Sequence, residues 1–210
     1  MAGGSRSGFR PTGLVEGATG LPVGLHRERI LGIDPGSLVT GWGLVQVDGN
    51  HLTHVAHGTI ATSSAYTQGA RLRRIHQGIQ EVLSRFRPSG VSLERVFFAR
   101  NAASALKLGQ ARGVALLAAA EHELEVFEYS VAEIKVAVTG FGQATKQQVQ
   151  KMVTVLLCLR AEVAVDAADA LAAAICHIHR REFPARARRG PGTRGKILRW
   201  RDYLEIAVKK

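Results

Sequence analysis

Between Arg29 and Ser37 an apolar run, Ile30-Leu31-Gly32-Ile33, stops at Asp34 and is followed at once by Pro35 and Gly36. Ile30, Leu31 and Ile33 suit a strand buried on both faces of a sheet. Pro35 brings no N–H and Gly36 admits positive φ, so the ladder ends there. A chain built around this strand carries a carboxylate at the tip of a rigid central element, where it meets a metal ion or a phosphate without rearrangement. The same residues also read as ordinary turn chemistry, with Asp34 capping the turn.

The residues that follow alternate between the two regular periods. Gly41 to Val47 and His51 to Thr62 alternate in strand fashion about an Asp48-Gly49 turn, which makes an antiparallel three-stranded meander with the first strand. Leu72, Ile75, Ile79, Val82, Leu83 and Phe86 then share one helical face, and Arg87-Pro88-Ser89-Gly90 ends that helix. Val91 to Glu94 is a short strand that again stops on an acid. A helix between meander and strand is a crossover, which lays the new strand parallel to an earlier one. Paired beside the first strand, it brings Glu94 within about 5 Å of Asp34. Carboxylates so close repel unless a cation joins them, so the arrangement asks for a divalent metal.

Asn101 to Glu123 is an Ala- and Leu-rich helix with small or apolar residues on more than one face. One side covers the sheet; the other, with Gly109 and Gly113 four apart, is either core or the seat of a second subunit. Leu124 to Tyr129 supplies a fifth strand and Thr145 to Leu157 a further helix. The last helix, Val163 to Arg180, carries Asp166 and Asp169 on one face among alanines and a leucine. Acids there either complement the helix dipole in its first turn or bind something.

The formal charge of +11 over 210 residues is unevenly placed. Arg180 to Lys210 holds 11 Lys/Arg against 3 Asp/Glu, a net +8, whereas Ile30 to His179 is close to neutral. A neutral body with a basic tail suits a polyanionic partner, or the tail merely solubilises. The division expected is a flexible extension over 1–28, one α/β domain over 29–180 and a basic tail over 181–210. No apolar run approaches the ~20 residues that cross a bilayer, and the Gly-rich start lacks an apolar signal core, so a soluble, cytoplasmic protein without membrane contact is expected. Cys158 and Cys176 read as buried thiols in a reducing compartment.

The segments Leu31-Gly32-Ile33-Asp34-Pro35-Gly36-Ser37, Leu93-Glu94-Arg95-Val96-Phe97, Asn101 to Gly113 and Asp166 to Ala172 resemble those of the RuvC family, the bacterial crossover junction endodeoxyribonucleases or Holliday junction resolvases. The likeness runs in order from Arg29 to His179. It implies a ribonuclease-H-like fold with a five-stranded mixed sheet flanked by helices, working as a homodimer on four-way junction DNA in recombination and repair. It also implies a partnership with the RuvA–RuvB branch-migration machinery.

By the same resemblance, Asp34, Glu94, Asp166 and Asp169 are the catalytic metal ligands. They would hold two Mg²⁺ or Mn²⁺ ions per site for phosphodiester hydrolysis that leaves 5′-phosphate ends. Asp34 would bridge the ions, with Glu94 on one and Asp169 on the other. Oxygen donors suit such hard cations, whereas His177 and His179, two apart on a helix, point away from each other. Phe97 is expected to wedge or stack at the opened junction, although adjacent aromatics at a strand exit are also packing residues. Arg100, Lys107, Arg112, Lys135 and Lys146 are expected phosphate contacts. Competing readings are a YqgF-type nuclease acting on RNA, an actin-like ATPase or sugar kinase, and a non-catalytic junction-binding module. The kinase reading lacks a second Gly-rich phosphate loop.

Overall fold

The computed structural model describes residues 12–16, 28–49, 51–95 and 102–187. Among these described residues six strands and five helices follow one another as β1 (Thr12–Glu16), β2 (Glu28–Asp34), β3 (Val39–Asp48), β4 (His51–Ala61), α1 (Gln68–Phe86), β5 (Gly90–Glu94), α2 (Ala102–Glu121), β6 (Val126–Tyr129), α3 (Val131–Thr139), α4 (Lys146–Leu156) and α5 (Val165–Ala187). The strands form one mixed sheet in the order β1-β4-β3-β2-β5-β6. β2, β3 and β4 are the expected antiparallel meander, and β5 runs parallel to β2 with Ile33 opposite Leu93.

The expected α/β fold with a mixed sheet is therefore present, with one strand more than the five anticipated. The sixth is β1, which pairs antiparallel with β4 and lies inside the stretch expected to be a flexible extension. An exposed β4 edge offers unpaired backbone groups that even a Gly-rich segment can satisfy. Helix α5 continues to Ala187, past the boundary expected at residue 181. The remainder of both terminal stretches lies outside the described residues.

Two apolar layers sandwich the sheet. On one face Ile75, Ile79, Val82 and Leu83 of α1 and Ala111, Ala115, Ala118 and Ala119 of α2 pack on Leu31, Ile33, Trp42 and Leu44. The helix predicted around Leu72 starts at an N-cap, Thr67, and stops where Arg87 takes the left-handed conformation ahead of Pro88. On the other face α5 lies against β2 and β3, with α3 and α4 packed around it. Its first three turns bury Ala167, Ala168, Ala170, Ala172, Ala173 and Ala174, with Leu171 among them, and the strands beneath offer glycine. A Cβ on Gly32 would stand 1.8 Å from the Ala170 carbonyl oxygen, and one on Gly41 would stand 2.0 Å from that of Asp166. Helix backbone thus rests directly on sheet backbone, an approach open only where neither side carries bulk.

Helix α3 was not anticipated. It begins on a complete capping box, Ser130 with Glu133, and ends on Gly140 at φ 74°. Cys176 is buried as expected, and burial pushes its thiol up to about 12. Cys158 is exposed, contrary to expectation, because it sits in the turn that closes α4 with φ 51°.

Candidate active site

The close approach of α5 to the sheet determines which acids meet. Asp34 is the last residue of β2 and pairs with Gly41 of β3. The Asp166 carbonyl lies over Gly41 and that of Ala170 over Gly32, so the first turns of α5 are laid across the end of β2. Glu94 ends β5, one residue beyond the Ile33–Leu93 pair. These placements put Asp34, Glu94, Asp166 and Asp169 in one electrostatic neighbourhood.

Burial, followed by the charges of Asp169, Glu94 and Asp166, raises Asp34 from 3.8 to about 7, against the opposing pull of Lys146. Glu94 is also held above the carboxylate range, first by burial and then by Asp169, while Lys146, Arg112 and Lys135 act in the other direction. Asp169 is raised by burial despite its ion pair with Lys146, whose Nζ stands 2.6 Å from Oδ2. Lys146 itself is pushed up by that bond. Two protonation demands thus meet at one point: carboxylates that resist ionising, and a cation held against them.

A cleft of about 280 Å³ opens beside these acids, lined by Glu94, Asp169, Lys135, Lys146, Val131 and Val149 among others. A larger hollow of about 420 Å³ at the N-terminal end of β5 is lined by Leu83, Arg87, Pro88, His122 and Leu124 and holds no carboxylate. Size alone would therefore misplace the site. Among the described residues, no three His, Cys, Asp or Glu side chains close on one point as a finished metal cage. The donor set nevertheless fits hard divalent cations: four carboxylates, oxygen only, with a lysine ammonium seated on one of them where a metal ion would compete.

The remaining expected site residues fall into three groups. Lys135 and Lys146 line the cleft, and Lys107 is exposed on α2. Phe97 and Arg100 lie outside the described residues. Arg112, expected as a phosphate contact, is turned inward: Nη1 donates to the Glu94 carbonyl at 2.6 Å and Nη2 pairs with Glu128 Oε1 at 2.6 Å. With 12% of its side chain exposed, it is a poor phosphate ligand.

His177 is packed against Phe127, with ring centroids 4.0 Å apart, and its Nδ1 is 2.9 Å from the Tyr129 hydroxyl. His179 Nδ1 lies 2.8 Å from the Ala137 carbonyl. Both imidazoles are occupied in packing between α5 and its neighbours.

Residues 30–177 match the family model described as crossover junction endodeoxyribonuclease RuvC. The protein of that name from Syntrophotalea carbinolica is 52% identical over 151 residues, which span 72% of this chain and 94% of the relative. Among solved structures, Thermus thermophilus RuvC in complex with a Holliday junction substrate superposes with a TM-score of 0.72 at 36% identity, covering 75% of this chain and 96% of that one. The yeast mitochondrial Holliday junction resolvase Ydc2, 12% identical over 77% of this chain and 82% of its own, shares the fold with a TM-score of 0.57.

Proposed function

Because the chain belongs to the crossover junction endodeoxyribonuclease RuvC family, we infer that it is a metal-dependent endonuclease that resolves Holliday junctions in recombination and repair. The observation that carries this reading to particular residues is Asp34 at the end of β2, half-buried and in the field of Glu94, Asp166 and Asp169.

In this reading Asp34, Glu94 and Asp169 would hold two Mg²⁺ or Mn²⁺ ions, with Asp166 supporting. When bound, they would supply charge stabilisation at the attacking and leaving oxygens of the scissile phosphodiester, whose hydrolysis would give 5′-phosphate ends. The protein's own part is placement. Asp34 and Glu94 sit on adjacent parallel strand ends that cannot shift independently, and α5 is pinned by backbone contact over the same ends. Lys146 and Lys135 stand at the rim, where a backbone phosphate would approach. Phe97 and Arg100 follow Glu94 in sequence and would meet the opened junction beside it.

Two symmetric nicks need two sites, and α2 supports a homodimer. Its outer face carries Leu106 and Leu117, 65% and 54% exposed, with open space beyond Gly109 and Gly113 between them. An apolar stripe with small residues at its centre suits close packing against a second copy. Family membership supports a cytoplasmic setting and cooperation with RuvA–RuvB.

The test is cleavage of a synthetic mobile four-way junction beside a linear duplex of the same sequence and a structured RNA, with Mg²⁺ or Mn²⁺. Paired nicks confined to the junction, absent in Asp34→Asn while junction binding survives, are expected. Equal cutting of duplex or RNA, or cleavage that persists in Asp34→Asn, would refute the reading.

A further inference from the structure

We propose that Arg112 is a positioning residue for Glu94, acting through the main chain rather than as a contact to nucleic acid. The proposal rests on the reading of Glu94 as a metal-holding acid.

Glu94 is the last residue of β5, and the strand pairing that would fix its backbone is one-sided. The β2 ladder ends at the Ile33–Leu93 pair, so only β6 accompanies Glu94, opposite Tyr129. A carbonyl at such an end needs a donor from elsewhere. Arg112 supplies it from α2, with Nη1 2.6 Å from the Glu94 oxygen. The same guanidinium is held in turn by Glu128 Oε1 at 2.6 Å. Arg95, the next residue, is fastened on the other side: its N–H donates to the Tyr129 carbonyl at 2.7 Å and its Nη2 to the Glu128 carbonyl at 3.2 Å. The peptide group that follows Glu94 is thereby anchored twice, its carbonyl to α2 and its N–H to β6.

The chemistry explains why an arginine stands here. Its planar fork meets a carbonyl and a carboxylate at once, which a lysine ammonium on a flexible stem does not reproduce. Only 12% of the Arg112 side chain is exposed, so little of it is left to meet a phosphate from solvent. Partners that orient a metal-holding group typically change metal affinity or activity by about 10–100-fold when removed.

The experiment compares the parent with Arg112→Gln, Arg112→Lys, Glu128→Gln and Glu94→Gln in three measurements. These are single-turnover cleavage at saturating four-way junction, junction affinity without metal across a salt series, and Mn²⁺ binding to junction-free protein by calorimetry. Arg112→Gln is expected to slow cleavage about 10–100-fold and weaken Mn²⁺ binding by a similar factor, with junction affinity and salt slope within twofold of the parent. Glu128→Gln, which removes the anchor and leaves the carbonyl bond in place, is expected to move both quantities the same way by less, and Arg112→Lys to recover only part of the loss. A fall in junction affinity with a flatter salt slope, at unchanged Mn²⁺ binding, would overturn the proposal in favour of a phosphate contact. Parent-like cleavage in both Arg112→Gln and Glu128→Gln would also overturn it, whereas parent-like cleavage in Glu94→Gln would overturn the underlying reading of the site.

Discussion

Gly32→Ala tests whether the position of α5 is set by bare backbone. The added Cβ would lie 1.8 Å from the Ala170 carbonyl oxygen, 2.8 Å from its carbon and 3.0 Å from the Ala174 nitrogen. All three atoms belong to the main chain of a buried helix, so no side chain can rotate out of the way. Restoring ordinary van der Waals separation requires α5 to retreat from β2 by roughly 1.5 Å in an interior packed at crystal-like density. Overpacking of this kind costs about 3 kcal/mol, the upper end of the usual range, and lowers Tm by roughly 6–12 °C for a chain of this size. Because Ala170 follows Asp169, the retreat carries that acid away from Asp34. A misplacement of about 1 Å slows a positioned reaction on the order of 100-fold. Thermal unfolding and single-turnover junction cleavage at a temperature where the variant is folded read the two effects separately. Gly49→Ala is the control: it lies in an exposed turn at φ +58° with open space around it, and it should cost about 1 kcal/mol from backbone strain alone and leave cleavage intact. A Gly32→Ala protein that melts with the parent and cleaves at its rate would refute the reasoning.

Two further outcomes follow from the titrating groups. Asp34 keeps a proton up to about 7 in the folded chain but gives it up near 3.8 when unfolded, so metal-free stability falls as pH rises through that window. Asp34→Asn should therefore stabilise the metal-free protein against urea by up to roughly 4 kcal/mol at pH 8, and by less than half as much at pH 5. A gain that does not grow with pH would count against the buried cluster. His54 behaves in the opposite sense: burial, then the neighbouring His57, lowers it from 6.5 to about 4, so the stability present above 6.5 is lost as pH falls through that interval, by up to about 3 kcal/mol. Replacing it in His54→Gln should flatten the decline in urea stability between pH 7.5 and 5, and an unchanged slope would remove His54 from the account.

The features legible in the sequence were those that depend on local period and on chain ends. Apolar runs, alternation and helical spacing located β2 to β6, α1, α2, α4 and α5. Asp34 and Glu94 were visible because apolar runs stop on them. What escaped depends on distant partners. Strand β1 has no pattern of its own and exists through the edge of β4. Helix α3 follows β6 with a single residue between, and its mixture of Val and Ile reads equally well as strand. His54 and His57 are three apart, a spacing that points to opposite faces of a regular strand. The register shift opposite Leu44 and Val45 inserts Val55 as an extra residue, and the two rings come within 2.8 Å between nitrogens. The inward course of Arg112 needed both Glu94 and Glu128 in place, which no spacing within α2 reveals.

The electrostatics of the site also fix what its substrate must bring with it. The described lysines within reach, Lys146 on Asp169 and Lys135 acting on Glu94, leave the four acids in excess of the positive charge around them. A phosphodiester is itself an anion, and bringing one into a half-buried group of carboxylates adds repulsion where the dielectric screens it least. Protonation offers one relief, and the elevation of Asp34 to about 7 shows the chain already leaning on it. Divalent cations offer the other, and they alone reverse the sign of the field so that a phosphate oxygen is attracted. The burial that makes the metal-free cluster costly is therefore the same burial that strengthens its hold on cations and phosphate together. Stability given up at the end of β2 is in this way coupled to the metal dependence of the family.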